Sequence, residues 1–154
     1  MRVYLACTVR GNRTGVAAAR VAADTLRALG HEVLTSHLLE DGVEHAESAL
    51  TEREVYERDR RWLDACDAIV AEASGSTYGV GFEVGYVTGR AGSSGQRIFV
   101  LYDAASRHAV SRLISGYADP HGASCAYTSP DDVRAFIERH FAAKPGGVGA
   151  VSVR

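Results

Sequence analysis

The sequence predicts an α/β domain built on a doubly wound, mainly parallel sheet, and three features of the chain carry that expectation. Short β-prone runs alternate with helical segments, the run D-A-I-V-A-E-A from Asp67 is apolar almost without interruption, and polar, Gly-bearing loops follow the first run and the Asp67 run. Strand–helix alternation argues for a doubly wound sheet. A continuously apolar strand suits one covered on both faces, so the Asp67 run is expected at the centre.

The elements follow in order. Residues 2 to 7 (R-V-Y-L-A-C) form a first strand that runs into the polar turn T-V-R-G-N-R-T-G. The next segment places Val16, Ala19, Ala22, Ala23, Leu26 and Leu29 at helical spacing and stops at Gly30, a residue type that closes helices. E-V-L-T-S, within residues 31 to 38, is a second strand, and the polar, acidic stretch 39 to 50 is expected as an exposed loop. From Thr51 to Cys66 the chain opens with T-x-x-E, a capping-box signature, and spaces Val55, Trp62, Leu63 and Cys66 as a helix does. After the Asp67 strand come S-G-S-T-Y-G-V-G and a helix beginning near Gly81. R-I-F-V-L-Y supplies a fourth strand, Ala109 to Ile114 a short helix, and Pro130 to Phe141 a last helix with proline in its first turn. The result is one domain over residues 1–142, flavodoxin-like or Rossmann-like with about four or five strands, and a flexible tail over 143–154. Such sheets bind ligands over the carboxyl ends of their strands, so residues 8 to 14 and 73 to 81 are expected to face the site.

Composition narrows the function classes. Seventeen basic and nineteen acidic side chains give a formal charge of −2, without the basic excess of a nucleic-acid binder; a small-molecule ligand is expected instead. M-R-V-Y-L-A-C lacks the apolar core of a signal peptide, and no apolar run has the length to span a bilayer. A cytoplasmic protein without membrane partners is expected. Cys7, Cys66 and Cys125 are odd in number and lack C-x-x-C spacing, which argues for reduced thiols over a disulfide framework or zinc knuckle. The histidines show no metal-ligand spacing, so no metal is expected.

Glu83 is the first catalytic candidate. It follows G-V-G near a helix start, where Gly79 and Gly81 let a substrate approach the backbone and the helix dipole favours the ionised carboxylate that a nucleophile requires. From position alone, an acid that merely stabilises its helix is the commoner case. Asp67 is the second, an acid beside an apolar strand; with Glu83 it would form a carboxylate pair of the kind that works on glycosidic bonds, and alone it is equally a solvent-facing end residue. G-V-G-F-E-V-G fails the dinucleotide fingerprint because its sixth position is Val84, so no nicotinamide and no other cofactor is expected. The loop can still cradle a phosphate through backbone N–H groups and the hydroxyls of Ser74, Ser76 and Thr77. Arg10 can pair with a phosphate or lie on the surface beside Arg13, and Tyr4 fills the core by default.

Taken together, Y-L-A-C-T-V-R-G at 4–11, V-L-T-S-H at 33–37, E-R-D-R-R-W-L at 57–63, D-A-I-V-A-E at 67–72 and G-V-G-F-E-V-G-Y at 79–86 resemble the 2′-deoxynucleoside 5′-monophosphate N-hydrolase branch of the nucleoside 2-deoxyribosyltransferase superfamily. The resemblance implies a homodimeric flavodoxin-like domain that cleaves a deoxynucleotide into free base and 2-deoxyribose 5-phosphate. It makes Glu83 the nucleophile, Asp67 the acid that assists it, Tyr4 the residue that positions nucleophile and sugar, and Arg10 the phosphate-binding arginine of a loop that also holds Thr8 and Gly11. Thr77 stands where the transferases carry an aspartate and the hydrolases a serine; a hydroxyl donates to a phosphate that an aspartate would repel. Ser111 resembles a serine that reaches the phosphate across the dimer interface. Base exchange by a transferase and nucleotide sensing without turnover are the competing readings.

Overall fold

In a computed structural model of the chain, residues 1–75 and 77–143 are described. The strands are β1 (Arg2–Ala6), β2 (Glu32–Val33), β3 (Ala68–Glu72), β4 (Arg97–Asp103) and β5 (Gly122–Tyr127). The helices are α1 (Val16–Ala28), α2 (Val43–Glu47), α3 (Glu52–Ala65), α4 (Tyr78–Ser94), α5 (Arg112–Ser115) and α6 (Pro130–Phe141). All strand pairs are parallel, in the order β2-β1-β3-β4-β5. This is the flavodoxin-like order, with β3 central and every one of its residues buried, as the apolar run foretells.

The two-residue period of β1 divides the core. Val3, Leu5 and Cys7 pack with α1 and α6, while Tyr4 and Ala6 face the other layer with Leu63 of α3 and Val80, Val84 and Val87 of α4. The pleat therefore aims Tyr4 at the α3–α4 side. Where β2 ends, the Thr35 hydroxyl takes over the pairing: it donates to the Leu5 carbonyl at 2.6 Å and accepts from the Leu5 N–H at 2.9 Å.

The capping box holds, with the Glu54 carboxylate accepting from the Thr51 N–H at 2.8 Å and the Thr51 hydroxyl accepting from the Glu54 N–H at 3.3 Å. Other expectations are corrected. The stretch 39 to 50 is largely exposed but is not all loop: it contains α2, and with the 3₁₀ turn Ser36–Leu39 before it buries Leu39, Val43 and Glu47. Its sparse apolar residues anchor a short element that has too few turns to display a period. The helix of Glu83 starts at Tyr78 rather than near Gly81. Glycines at 79, 81, 85, 89 and 92 hide it, each costing about 1 kcal/mol of helix propensity. The Val80, Val84, Val87 and Ala91 stripe, buried against the sheet, outweighs them. β5, written G-A-S-C-A-Y, has no β-branched residue and a single aromatic at its end, too few to announce a strand, and is formed by edge pairing to β4. Apart from Ala143, the tail expected over 143–154 lies outside the described residues.

Candidate active site

A cavity of about 370 Å³ opens over the carboxyl ends of β1 and β3, the point where strand order reverses and open α/β sheets place their ligands. Three parts of the chain wall it: Cys7 to Arg10 after β1, Thr77 to Glu83 after β3, and a wall from Leu38 to Asp59. At its floor the Tyr4 hydroxyl donates to Glu83 Oε1 at 2.6 Å. Tyr4 is fully buried. Because that bond occupies Oε1, Glu83 Oε2 remains for a ligand.

Burial pushes the Glu83 carboxyl up to about 7, the Tyr4 hydrogen bond pulls it back, and the negative charge of Asp59 adds to the rise. The helix dipole does not hold Glu83 ionised as expected from the sequence: the residue lies in the second turn of α4, beyond the first-turn reach of the dipole, and desolvation prevails. Tyr4 is itself held in its neutral, donating form, first by burial and then by the Glu83 charge.

Beside Glu83 the cavity is lined by Glu47, Glu52 and Asp59 and not by Asp67, and Asp59 is the one whose charge reaches Glu83. Asp67 is exposed just before the amino end of β3, where it accepts from the Arg2 N–H at 2.6 Å. Five residues of strand, about 16 Å at the usual rise, separate that edge from the carboxyl end. Asp59 carries a legible signal, since it sits with Val55, Trp62, Leu63 and Cys66 on the inward stripe of α3, where an acid is unexpected unless it is paired or functional. Arg58 Nε donates to Asp59 Oδ1 at 2.9 Å, and its two terminal nitrogens donate to Glu47 at 2.7 and 3.0 Å. Glu47 and Arg58 had no signal in the sequence because α2 itself had none.

Arg10, Thr77 and Gly79 all line the cavity. Thr77 caps α4 with no side-chain bond, so the first-turn N–H groups keep their capacity for an anion. Gly11, at φ 96°, makes the turn that presents Arg10; neighbouring Arg13 is instead committed to the carbonyls of Val9 and Leu38, both at 3.2 Å. Thr8 is buried beneath the loops, its hydroxyl without a partner among the described residues. Gly75 packs there so closely that a Cβ would lie 2.3 Å from Thr8 Oγ1. Ser74 does not serve the cavity: its hydroxyl donates to Glu72 and accepts from the Asp103 N–H at 2.8 Å. Ser76 lies outside the described residues.

Gly81 and Ser111 line a second, apolar groove with Tyr78, Phe82 and Leu113, and Thr77 lines both spaces. Among the described residues no group of three or more His, Cys, Asp or Glu side chains is placed to hold a metal ion, and no helix is long and apolar enough to cross a membrane.

Sheet order and site define a class, a small α/β domain with a tyrosine-bonded carboxylate in a cavity over the switch point. The chain belongs to the nucleoside 2-deoxyribosyltransferase family, whose profile matches residues 3–133. A Thermofilum pendens protein named "Putative 2′-deoxynucleoside 5′-phosphate N-hydrolase 1" is 35% identical over 148 residues, spanning 96% of this chain and 98% of its own. The human 5-hydroxymethyl-dUMP N-hydrolase is 32% identical over 152 residues, spanning 97% of this chain and 84% of its own. The solved structure of the Clostridium botulinum CMP N-glycosidase shares the fold at a TM-score of 0.63 and 16% identity, covering 91% of this chain and 99% of that one.

Proposed function

We propose that a single catalytic domain over residues 1–142 hydrolyses the N-glycosidic bond of a (2′-deoxy)nucleoside 5′-monophosphate, releasing free base and (deoxy)ribose 5-phosphate. The observation that carries the reading is the Tyr4–Glu83 hydrogen bond of 2.6 Å at the floor of a cavity that Asp59 also lines. Glu83 Oε2 attacks C1′ as the C1′–N bond breaks, and the bonding pair leaves with the base nitrogen, which takes a proton from a water molecule held by the Asp59 carboxylate. The hydroxide left by that proton transfer attacks C1′ of the glycosyl ester, which frees the Glu83 carboxylate and completes the sugar phosphate. Tyr4 fixes the nucleophile and carries part of its charge while it waits.

Arg10, Thr77 and the first-turn amides of α4 hold the phosphate, and Thr8 and Gly11 shape the loop behind it. That remote contact orients the anomeric carbon, so dephosphorylated substrates lose turnover as well as affinity. The partner is a second copy of the chain: Tyr78 and Leu113, 99% and 88% exposed, flank the groove that holds Ser111, and through Thr77 this groove adjoins the phosphate end. A homodimer closed there brings Ser111 of one protomer towards the phosphate of the other. The free thiols Cys7, Cys66 and Cys125 suit a reducing, cytoplasmic location.

The test is liquid chromatography of the four common deoxynucleoside and four ribonucleoside 5′-monophosphates after incubation with wild type and with Glu83→Ala. Release of free base by wild type alone is expected; intact nucleotides in every tube would remove the hydrolase reading. Added free base should yield no new nucleotide, whereas exchange would make the protein a transferase.

A further inference from the structure

Glu47 is a buried carboxylate on the cavity wall that the reaction as proposed leaves unused. Its side chain is 10% exposed. Arg58 grips both of its oxygens, at 2.7 and 3.0 Å, and His37 Nε2 lies 3.3 Å from Oε1. The guanidinium holds this carboxyl below its usual range, so an ionised acceptor of fixed direction faces the cavity. Oε1 accepts from Arg58 with His37 Nε2 close by, whereas Oε2 takes a single bond from Arg58, has no second cation beside it among the described residues and keeps acceptor capacity.

The elements of the cavity say what meets it. Arg10, Thr77 and Gly79 take the phosphate and Glu83 the anomeric carbon, which leaves the wall from Leu38 to Asp59 for the base. Leu38, Leu50 and Val55 give that wall apolar surface for a flat ring, and its polar side chains, Glu47, Glu52 and Asp59, are all carboxyls. We propose that Glu47 is a specificity-determining residue that accepts a hydrogen bond from an exocyclic amine of the leaving base and so selects amino-bearing bases over their oxo counterparts. An oxo group at the same point would set two acceptors against each other, and a site built for a donor strongly rejects the analogue that lacks it. This inference rests on the N-glycosidase reading for the placement of the base.

Calorimetric titration of the non-hydrolysing variant Glu83→Gln with two near-isosteric pairs, dCMP against dUMP and dAMP against 2′-deoxyinosine 5′-monophosphate, tests it. In each pair the amine is expected to bind about tenfold more tightly, the worth of one charge-assisted hydrogen bond. Adding Glu47→Gln, or Glu47→Asp to retain the charge on a shorter arm, should bring the ratio to within about twofold while affinity for 2-deoxyribose 5-phosphate is kept. That sugar phosphate lacks a base, so its unchanged binding reports an intact site that a merely structural latch would not spare. Equal binding within the pairs, or a preference that survives in both Glu47 variants, overturns the proposal. Base release by wild type without amine preference sinks this inference alone, and amine preference without release by wild type sinks the reaction instead.

Discussion

Two carboxylates at the carboxyl edge of the sheet, Glu72 between β3 and β5 and Glu83 between β1 and α4, respond to the same physics with opposite outcomes. Burial pushes both carboxyls up. Around Glu72 the protein closes completely. The residue is 1% exposed, Oε1 accepts from the Ser74 N–H at 3.2 Å, the Ser74 hydroxyl and the Tyr127 hydroxyl at 2.9 Å, and Oε2 lies where a Cβ on Gly15 would be. Around Glu83 one hydroxyl takes one oxygen and the cavity takes the rest. A raised carboxyl alone therefore does not mark a nucleophile; what marks it is acceptor capacity left facing empty space.

The largest expected effect separates the two. Glu83→Gln should lower base release by at least about 10³-fold, whereas Glu72→Gln, which retains acceptors for Ser74 and Tyr127, should keep it within about tenfold. The sign of the pH dependence follows from the direction of the Glu83 shift. The carboxyl is protonated and inert below about 7, so kcat/KM should rise as pH increases through about 7. Tyr4→Phe removes an interaction that lowers the value and should move this limb to higher pH, while Asp59→Asn removes one that raises it and should move the limb lower. Stability runs the other way, because folding holds this proton more tightly than the unfolded chain does. Stability is lost as pH rises from about 4.3 to about 7, and at pH 8 Glu83→Gln should unfold at a higher temperature than wild type. Glu83→Gln melting below wild type at that pH would break the burial account.

The next effect tests Asp59 as the group that serves the leaving base. Asp59→Asn should lower kcat by about 10²-fold, with a smaller loss for a substrate whose base leaves readily without a proton. Equal losses for good and poor leaving groups would reduce Asp59 to an electrostatic bystander. Gly15→Ala probes the closed region instead: its Cβ would lie 1.7 Å from Glu72 Oε2, so the buried carboxylate must be displaced from its Ser74 and Tyr127 bonds, at a cost of about 1–3 kcal/mol in denaturant unfolding. A variant as stable as wild type would show that the wall around Glu72 is loose and weaken the contrast with Glu83.

How far the sequence reveals these features depends on how local their causes are. The central strand, α1, the capping box of α3 and the position of Glu83 announce themselves through periodicity and turn residues within a window of about fifteen residues. β5 and α2 do not, since one is small-residue edge strand and the other a single buried turn and a fraction, both specified by what they pack against. The Glu47–Arg58 pair depends on α2 and so stayed hidden with it. Gly15 against Glu72 joins the start of α1 to the end of β3 and has no local signature.

The smallest expected effect bears on the residue that sequence alone misplaced. Asp67 and Asp59 lie eight residues apart, both border apolar segments, and both suit a carboxylate pair with Glu83 when read as letters. A parallel strand converts that short separation into opposite ends of the sheet, because β3 starts beside Asp67 and carries the chain to Glu72 before α4 turns back to the cavity. Asp67 accepts the Arg2 N–H at an exposed edge, a bond that tethers the start of β1 and reaches no part of the site. Asp67→Asn keeps an oxygen to accept that N–H. It should leave kcat/KM within about twofold and its pH limb in place, with about 1 kcal/mol of stability at stake. A hundredfold loss there, matching Asp59→Asn, would mean that the two ends of the sheet are coupled through β3 in a way that neither the hydrogen bonds nor the cavity walls provide.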